Sequence, residues 1–260
     1  MFITRFLPPS IRRGLRAFRA AFPEPIPPFE GVFASFAESK PTLAEFDKEW
    51  WKSRCKKAVE DARALTATAF PSSAPPHWLL PFLIGTMPKG KIRILDFGGG
   101  GGLDYIYASK LSSRGDDLDY HVVDVPAACE AGRELADLPV TFHLDPPPDD
   151  QHFDVVYASN SIQYVEDYRA LLAKFSGYGP KYILICKTSI HSGSQFVRAQ
   201  TNIGGRTPAW VFSLSNIDAA LPDYEREFCA KSDDLYPMHT YPDESRVPWM
   251  TNLLYVRRHE

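Results

Sequence analysis

Apolar and polar positions change rhythm at Lys91. From there on, short apolar runs rich in β-branched residues alternate with stretches whose apolar residues recur every three or four positions. The runs predict strands over 91–97, 119–124, 139–143, 153–158 and 182–186, and the intervening stretches predict helices over 103–111 and 126–136. Asp167 is a good N-cap for a further helix carrying Leu171, Leu172 and Phe175, with Gly177 as its stop. Between Thr188 and Ser213 the periodicity lapses, which predicts a long irregular segment of the kind that carries function in compact domains. A helix over 216–221 and strands over 224–230 and 251–257 close the pattern. Strands and helices in this order build an α/β, doubly wound, mostly parallel sheet.

Upstream the rhythm is helical and then broken. Leu43, Phe46, Trp50, Val59, Ala62 and Leu65 recur at helical spacing among charged residues, which predicts one long amphipathic helix over 42–66. Prolines at 71, 75, 76, 81 and 88 cut the next stretch into pieces, and the apolar residues from Trp78 to Ile84 predict a short helix covering a sheet edge. Residues 1–30 carry five arginines, with no acid before Glu24, interleaved with apolar residues, and run into a proline-rich spacer over 23–28. Such a segment suits the surface of an anionic membrane, or packs its apolar side on the domain with the arginines in water. The chain therefore divides into a basic extension over 1–30, a helical cap region over 31–90 and a sheet domain over 91–260.

Composition narrows the class. With 260 residues, 44% apolar and 23% charged, the chain has the make-up of an ordinary globule, and its formal charge of -3 provides no field to gather nucleic acid. Cys55, Cys129, Cys186 and Cys229 are far apart with no paired spacing, which predicts reduced, buried thiols. No apolar stretch has the ~18 residues of a membrane span and the first residues lack a secretory core, so the expected location is the cytoplasm. Peripheral contact with the inner membrane face through the arginines is compatible with that.

The chemistry centres on five consecutive glycines, Gly98 to Gly102, between the first strand of the sheet domain and its first helix. Glycine admits positive φ and lets a ligand touch the main chain. The helix that follows turns its free N–H groups toward the same place and suits a phosphate or a carboxylate. Asp124 ends the next strand about two dozen residues on, where an acid accepts hydrogen bonds from both hydroxyls of a ribose. An adenosine-containing ligand is implied. Leu103 and Asp104 occupy the sixth places where a dinucleotide oxidoreductase needs Gly or Ala, and no Gly-Lys-Ser/Thr follows as in a phosphate loop. No serine sits in a Gly-x-Ser-x-Gly elbow, and no His, Cys or carboxylate spacing predicts a metal.

The string from Ile94 to Gly102 resembles the first motif of class I S-adenosylmethionine-dependent methyltransferases, an acid followed by Gly-x-Gly-x-Gly. Further strings resemble a bacterial family of methyltransferase-like proteins associated with surface-polysaccharide gene clusters. These are Phe29-Glu30-Gly31 with Ser35, His121 to Asp124 with Pro126, Ala158 to Asp167, and Pro208 with Trp210 to Ser213. The likeness spans residues 29–230 and implies a seven-stranded Rossmann-like sheet with S-adenosylmethionine as cofactor. It implies that Gly98, Gly100 and Gly102 pass the methionine part and that Asp96 orders the loop and meets the amino group. Asp124 would hold the ribose, while Asn160 and Tyr164 line the site beside the methyl, Tyr164 also facing the sulfonium. Lys187, Thr188 and Ser189 stand where that family has Arg-Thr-Pro.

Methyl transfer to a hydroxyl needs alignment and a base. His191, opening the irregular segment, is the candidate base by position and intrinsic pKa. His143 borders adenine or packs, and Trp210 stacks on a sugar acceptor or joins the core. The expected function is methyl transfer to a small-molecule or glycan acceptor, most readily at oxygen. A non-catalytic module of the same fold, organising a membrane-associated glycan assembly, is the alternative. Oligomeric state is not readable from the chain.

Overall fold

The computed structural model describes residues 29–42, 49–64, 78–135, 137–202, 205–231 and 249–258. The basic segment 1–28 lies outside them. The elements are β1 (Phe29–Phe33), α1 (Glu49–Ala64), α2 (Leu79–Thr86), β2 (Ile92–Phe97), α3 (Leu103–Ser112), β3 (Leu118–Val123), α4 (Pro126–Arg133) and β4 (Val140–His143). There follow β5 (Val155–Ser159), α5 (Tyr168–Gly177), β6 (Tyr182–His191), β7 (Phe196–Asn202), β8 (Gly205–Ser213), α6 (Leu214–Ala220), β9 (Tyr224–Lys231) and β10 (Trp249–Arg257).

Seven of the strands form the expected doubly wound sheet in the order β4-β3-β2-β5-β6-β10-β9, with β10 antiparallel to both its neighbours. The central strands are buried on both faces, as parallel sheets require, which is why β5 reads as a continuous apolar run. On one face Leu95, Val156, Ile183 and Ile185 pack against Leu171, Leu172 and Phe175 of α5 and Ile217 of α6. On the other, Ile94, Tyr120, Val155, Tyr157 and Leu184 meet Val59 of α1, Leu80 and Ile84 of α2, and Ile106 of α3. Asp167 caps α5 as expected, its carboxylate accepting from the Ala170 N–H at 3.0 Å. Among the described residues no helix is long and apolar enough to cross a membrane.

The strand order reverses at β2, with β3 and β4 on one side of it and β5 and β6 on the other. Ligands of such sheets bind beyond the carboxyl ends at that reversal. The glycine run begins one residue past β2, so the reversal and the glycines coincide.

The segment 188–213 is not irregular. β6 continues to His191, and β7 and β8 form an antiparallel hairpin joined to it through Ile190↔Phe212 and His191↔Ser213. The chain breaks strict alternation at Lys187. Ile185 and Ile190 are five residues apart yet lie in the same core cluster, which a regular strand forbids. Lys187 absorbs the slip at φ 52°, its N–H donating to Asn252 Oδ1 at 3.0 Å opposite a register shift in β10. Nor is the region from residue 31 purely helical, because β1 pairs with β7 and completes a three-stranded arm. The four cysteines are free, but Cys229 is exposed where burial was expected.

Candidate active site

The glycine loop takes the shape its sequence implies. Gly98, Gly100 and Gly102 adopt φ of 75°, 59° and 89°, whereas Gly99 and Gly101 stay outside the left-handed region. These alternate glycines are the three singled out above. Gly98 is also sterically obligatory, since a Cβ there would stand 2.3 Å from the Ser161 Cβ. Ser161, just past β5, donates through Oγ to the Phe97 carbonyl at 2.7 Å and so holds the two strand ends together.

Asp124 turns toward this loop. Its Oδ2 accepts from the Gly100 N–H and its Oδ1 from the Val125 N–H, each at 2.7 Å. A carboxylate has about four lone-pair positions, so two backbone donors leave capacity for two hydroxyls. Burial raises the Asp124 carboxyl above its ordinary range, while the Gly100 and Val125 N–H bonds oppose that.

Asp96 lies beneath the loop and is fully buried. Its Oδ2 accepts from the Tyr120 hydroxyl at 2.8 Å, but its Oδ1 is buried with no hydrogen-bond partner. Asp104, in the first turn of α3, is a second buried carboxyl nearby, with the Tyr157 hydroxyl 3.5 Å from its Oδ1. Burial first and Asp104 second push Asp96 well above the usual carboxylate range, against the pull of Tyr120. An unmatched acceptor atom of this kind is costly in an interior and is relieved by a cationic donor. On the outer side of the loop, α1 brings the Cys55 Sγ to within 3.6 Å of where a Gly100 Cβ would be. Burial, reinforced by Asp124, pushes that thiol up to about 12, so it packs and does not react.

Asn160 follows β5 at φ 54° and its N–H donates to the Cys186 carbonyl at 2.9 Å. Its side-chain oxygen accepts from Gln163 Nε2 at 2.6 Å. Four residues on, the Tyr164 hydroxyl donates to Gln200 Oε1 at 2.5 Å and ties this turn to β7. The structure therefore brings Asp96, the glycines, Asp124, Asn160 and Tyr164 to one end of the sheet. His191 ends β6, five residues beyond Cys186, which is level with Ser159 at the end of β5. Its Nδ1 accepts from the Gly193 N–H at 3.0 Å, and its ring packs edge-on against Phe196. Trp210 packs against Phe36, Tyr168 and Phe212 and donates from Nε1 to the Glu166 carbonyl.

Ser161, Gln200 and the Lys187 bulge escaped the sequence. The Gly98–Ser161 contact leaves no periodic trace, and Gln200 belongs to a strand whose apolar run it interrupts together with buried Arg198. Asp119 and His121, two apart on one face of β3 with His143 ending β4, did carry a period-two signal.

A methyltransferase-domain family matches the chain over residues 58–198, more than half its length and all of the glycine loop, Asp124 and the β5 turn. The chain belongs to the methyltransferase-domain family. No curated protein matches this methyltransferase significantly. Its fold is similar to that of a Listeria monocytogenes protein described as an S-adenosylmethionine-dependent methyltransferase, at 13% identity and TM-score 0.52, over 71% of this chain and 99% of that one. It is likewise similar to the Burkholderia thailandensis 1,6-didemethyltoxoflavin-N1-methyltransferase, solved with that compound and S-adenosylhomocysteine. There the identity is 14%, the TM-score 0.50, and coverage 89% of this chain and 94% of that one. A third similar fold is the N-terminal domain of EvdMO1, solved in the presence of S-adenosylhomocysteine and D-fucose, at 11% identity and TM-score 0.52, over 80% and 97%. At these identities the likeness is one of fold.

Proposed function

We propose that this methyltransferase transfers a methyl group from S-adenosylmethionine to a hydroxyl of a small-molecule or glycan acceptor. The observation that carries the cofactor assignment is Asp96 Oδ1, a buried acceptor without a partner directly beneath a loop of left-handed glycines. It fits the amino group of a methionine tail, and the spare lone pairs of Asp124 fit a ribose. When bound, S-adenosylmethionine supplies an electrophilic methyl group on sulfur. The chain's own residues then have three tasks: Asp96 and the loop fix the tail, Asp124 fixes the sugar, and the β5 turn positions the acceptor face. Alignment alone supplies much of the acceleration in such a displacement.

Of the two catalytic candidates, Tyr164 is the better placed. Its hydroxyl is anchored by Gln200, which leaves the ring to face a cation at the strand ends. His191 takes the base role only if its Nδ1 gives up the Gly193 N–H. A sugar acceptor is favoured by the resemblance to the polysaccharide-associated family and by the presence of D-fucose with EvdMO1. The same proposal puts the protein in the cytoplasm with residues 1–30 against an anionic membrane face. Loss of vesicle co-sedimentation on deleting residues 1–22 tests that point.

Calorimetry with S-adenosylhomocysteine tests the cofactor assignment. The wild type binds at micromolar scale and Asp124→Ala does not; no binding by the wild type refutes the proposal. Incubating methyl-labelled cofactor with fractionated cell extract then identifies the acceptor. Cofactor binding with no labelled product from any fraction favours the non-catalytic module.

A further inference from the structure

A helix that covers a sheet turns polar residues to water, but α2 reads Leu-Leu-Pro-Phe-Leu-Ile-Gly-Thr and carries no charge. Its inner face is fully used: Leu80, Leu83 and Ile84 are buried in one cluster with Val59 and Ala62 of α1 and Ile106 of α3. On the outer face Trp78, at the N-cap, and Phe82 lie one turn apart, the Phe82 N–H donating to the Trp78 carbonyl at 3.0 Å. Their rings meet edge to face with centroids 6.2 Å apart, and even so Trp78 is 43% exposed and Phe82 65%. Gly85 continues that face, and a Cβ there would meet nothing within 4 Å. Single apolar residues are ordinary on a surface, whereas two touching aromatics on an uncharged helix mark a contact site.

Charge selects what meets them. Between Asp61 and Asp96 the chain has no acid but carries Arg63, Lys89, Lys91 and Arg93. Lys89 and Lys91 are exposed just past the end of α2, in a turn that Arg114 holds from beneath. Arg114 donates from Nη1 to the Ile84 and Met87 carbonyls at 3.2 and 3.0 Å, and from Nη2 to the Gly90 carbonyl at 2.8 Å. Of the acids on neighbouring elements, Asp117 pairs with Arg114 at 3.0 Å and Asp61 of α1 with Lys57 at 2.9 Å. Asp116 is the remaining acid of the turn 115–117, against two lysines. The aromatic pair is therefore flanked by a small excess of positive charge.

Size argues against a protein partner. An aromatic side chain offers about 150–250 Å² in all, so two half-exposed rings fall short of the ~800 Å² that each partner of a stable protein interface buries. A bilayer surface asks for less: rings that enter the headgroup layer, and lysines whose stems lie along it while their ammonium groups meet anionic headgroups. We propose that Trp78 and Phe82, with Lys89 and Lys91, form a docking point for an anionic lipid bilayer. It is separate from residues 1–30 and independent of the cofactor assignment, and it supplies a second attachment where one alone is weak and reversible.

Co-sedimentation of the full chain with phosphatidylglycerol–phosphatidylcholine vesicles, and with phosphatidylcholine alone, tests the docking point. The wild type is expected to partition onto the anionic vesicles in preference to the neutral ones. Phe82→Ser lowers that partition by about tenfold or more and leaves the melting temperature unchanged, because the ring it removes is exposed. Lys89→Gln combined with Lys91→Gln lowers it by about tenfold as well. Lipids brominated on their acyl chains locate the contact in the intact protein: they quench the wild-type tryptophan fluorescence, and Trp78→Phe removes the quenching. A wild type that does not bind, or binds neutral vesicles equally well, overturns the proposal. Partition unchanged in Phe82→Ser, with quenching unchanged in Trp78→Phe, assigns all of the binding to residues 1–30 and overturns it too. Sedimentation velocity without vesicles covers the other occupant, since a dimer that Phe82→Ser dissociates gives this face to a second copy of the chain and refutes the lipid contact.

Discussion

Gly98→Ala strikes the point where the glycine loop, β2 and the turn after β5 meet. The new methyl group faces two penalties. At φ 75° an alanine occupies the left-handed region, which costs about 1–2 kcal/mol. Its Cβ also stands 2.3 Å from the Ser161 Cβ and 3.0 Å from the Oγ. Relieving that overlap means moving Ser161 off the Phe97 carbonyl or pushing the loop outward, and overpacking of this kind costs about 1–3 kcal/mol. Together the penalties reach about 2–5 kcal/mol, which lowers the melting temperature by roughly 5–15 °C in a chain of this size. If the loop yields instead of the fold, the same strain appears as a loss of S-adenosylhomocysteine affinity of about 30-fold or more. Differential scanning calorimetry and titration on one preparation register both routes. Combining Gly98→Ala with Ser161→Gly removes the overlap but not the φ penalty, so about half of the loss returns; the difference from additivity measures the contact. Gly177→Ala is the control, because a Cβ there meets nothing within 4 Å. A Gly98→Ala protein that melts and binds like the wild type refutes the steric account of the loop.

Asp96→Asn keeps an acceptor for Tyr120 and removes a buried charge. The folded pKa of Asp96 is raised, so its contribution to stability is present at low pH and lost as pH rises through the folded value. The variant should therefore melt higher than the wild type at neutral pH, flatten the fall of stability with pH, and lose cofactor affinity; a lower melting temperature with affinity intact contradicts this. Asn252→Ala leaves the Lys187 N–H without its acceptor and should cost about 1–3 kcal/mol in urea unfolding, whereas no change shows that the bulge holds itself. Tyr164→Phe cuts the bond to Gln200, and it should lower methyl incorporation from labelled cofactor by about tenfold while leaving S-adenosylhomocysteine affinity within about twofold. Loss of affinity without loss of turnover would assign Tyr164 to the cofactor instead.

The parts legible in the sequence are those whose physics is local. β2, the glycines and α3 are adjacent along the chain, so a strand, a turn that tolerates positive φ and a helix start could be read in one sweep. Asp124 followed from its place at the end of the next strand. Asp167 announced α5 because a cap satisfies backbone donors within three residues. The hairpin β7–β8 stayed hidden because buried Arg198 and Gln200 break the apolar run of its first strand. Contacts between segments far apart in the chain, such as Gly98 with Ser161, Tyr164 with Gln200 and Lys187 with Asn252, obey no short spacing. Composition cannot disclose them.

That division explains why the cofactor side of the site is clearer than the acceptor side. The residues proposed to hold the cofactor hang on β2, β3 and β5, whose parallel register fixes their carboxyl ends relative to one another within one sheet. On the proposed function the acceptor side is built from the arm β1-β7-β8, which joins the sheet where β6 outlasts β5 and pairs Ile190 with Phe212 and His191 with Ser213. Its placement depends on the bulge at Lys187, because without the phase slip Ser189 and Ile190 would exchange faces and the arm would lose the apolar seat that Phe212 shares with Tyr168. A single left-handed residue thus sets how the arm overhangs the strand ends. Substitutions at Lys187 and Asn252 should accordingly alter which acceptors fit while sparing the cofactor, since they lie on β6 and β10 and not on β2 or β3.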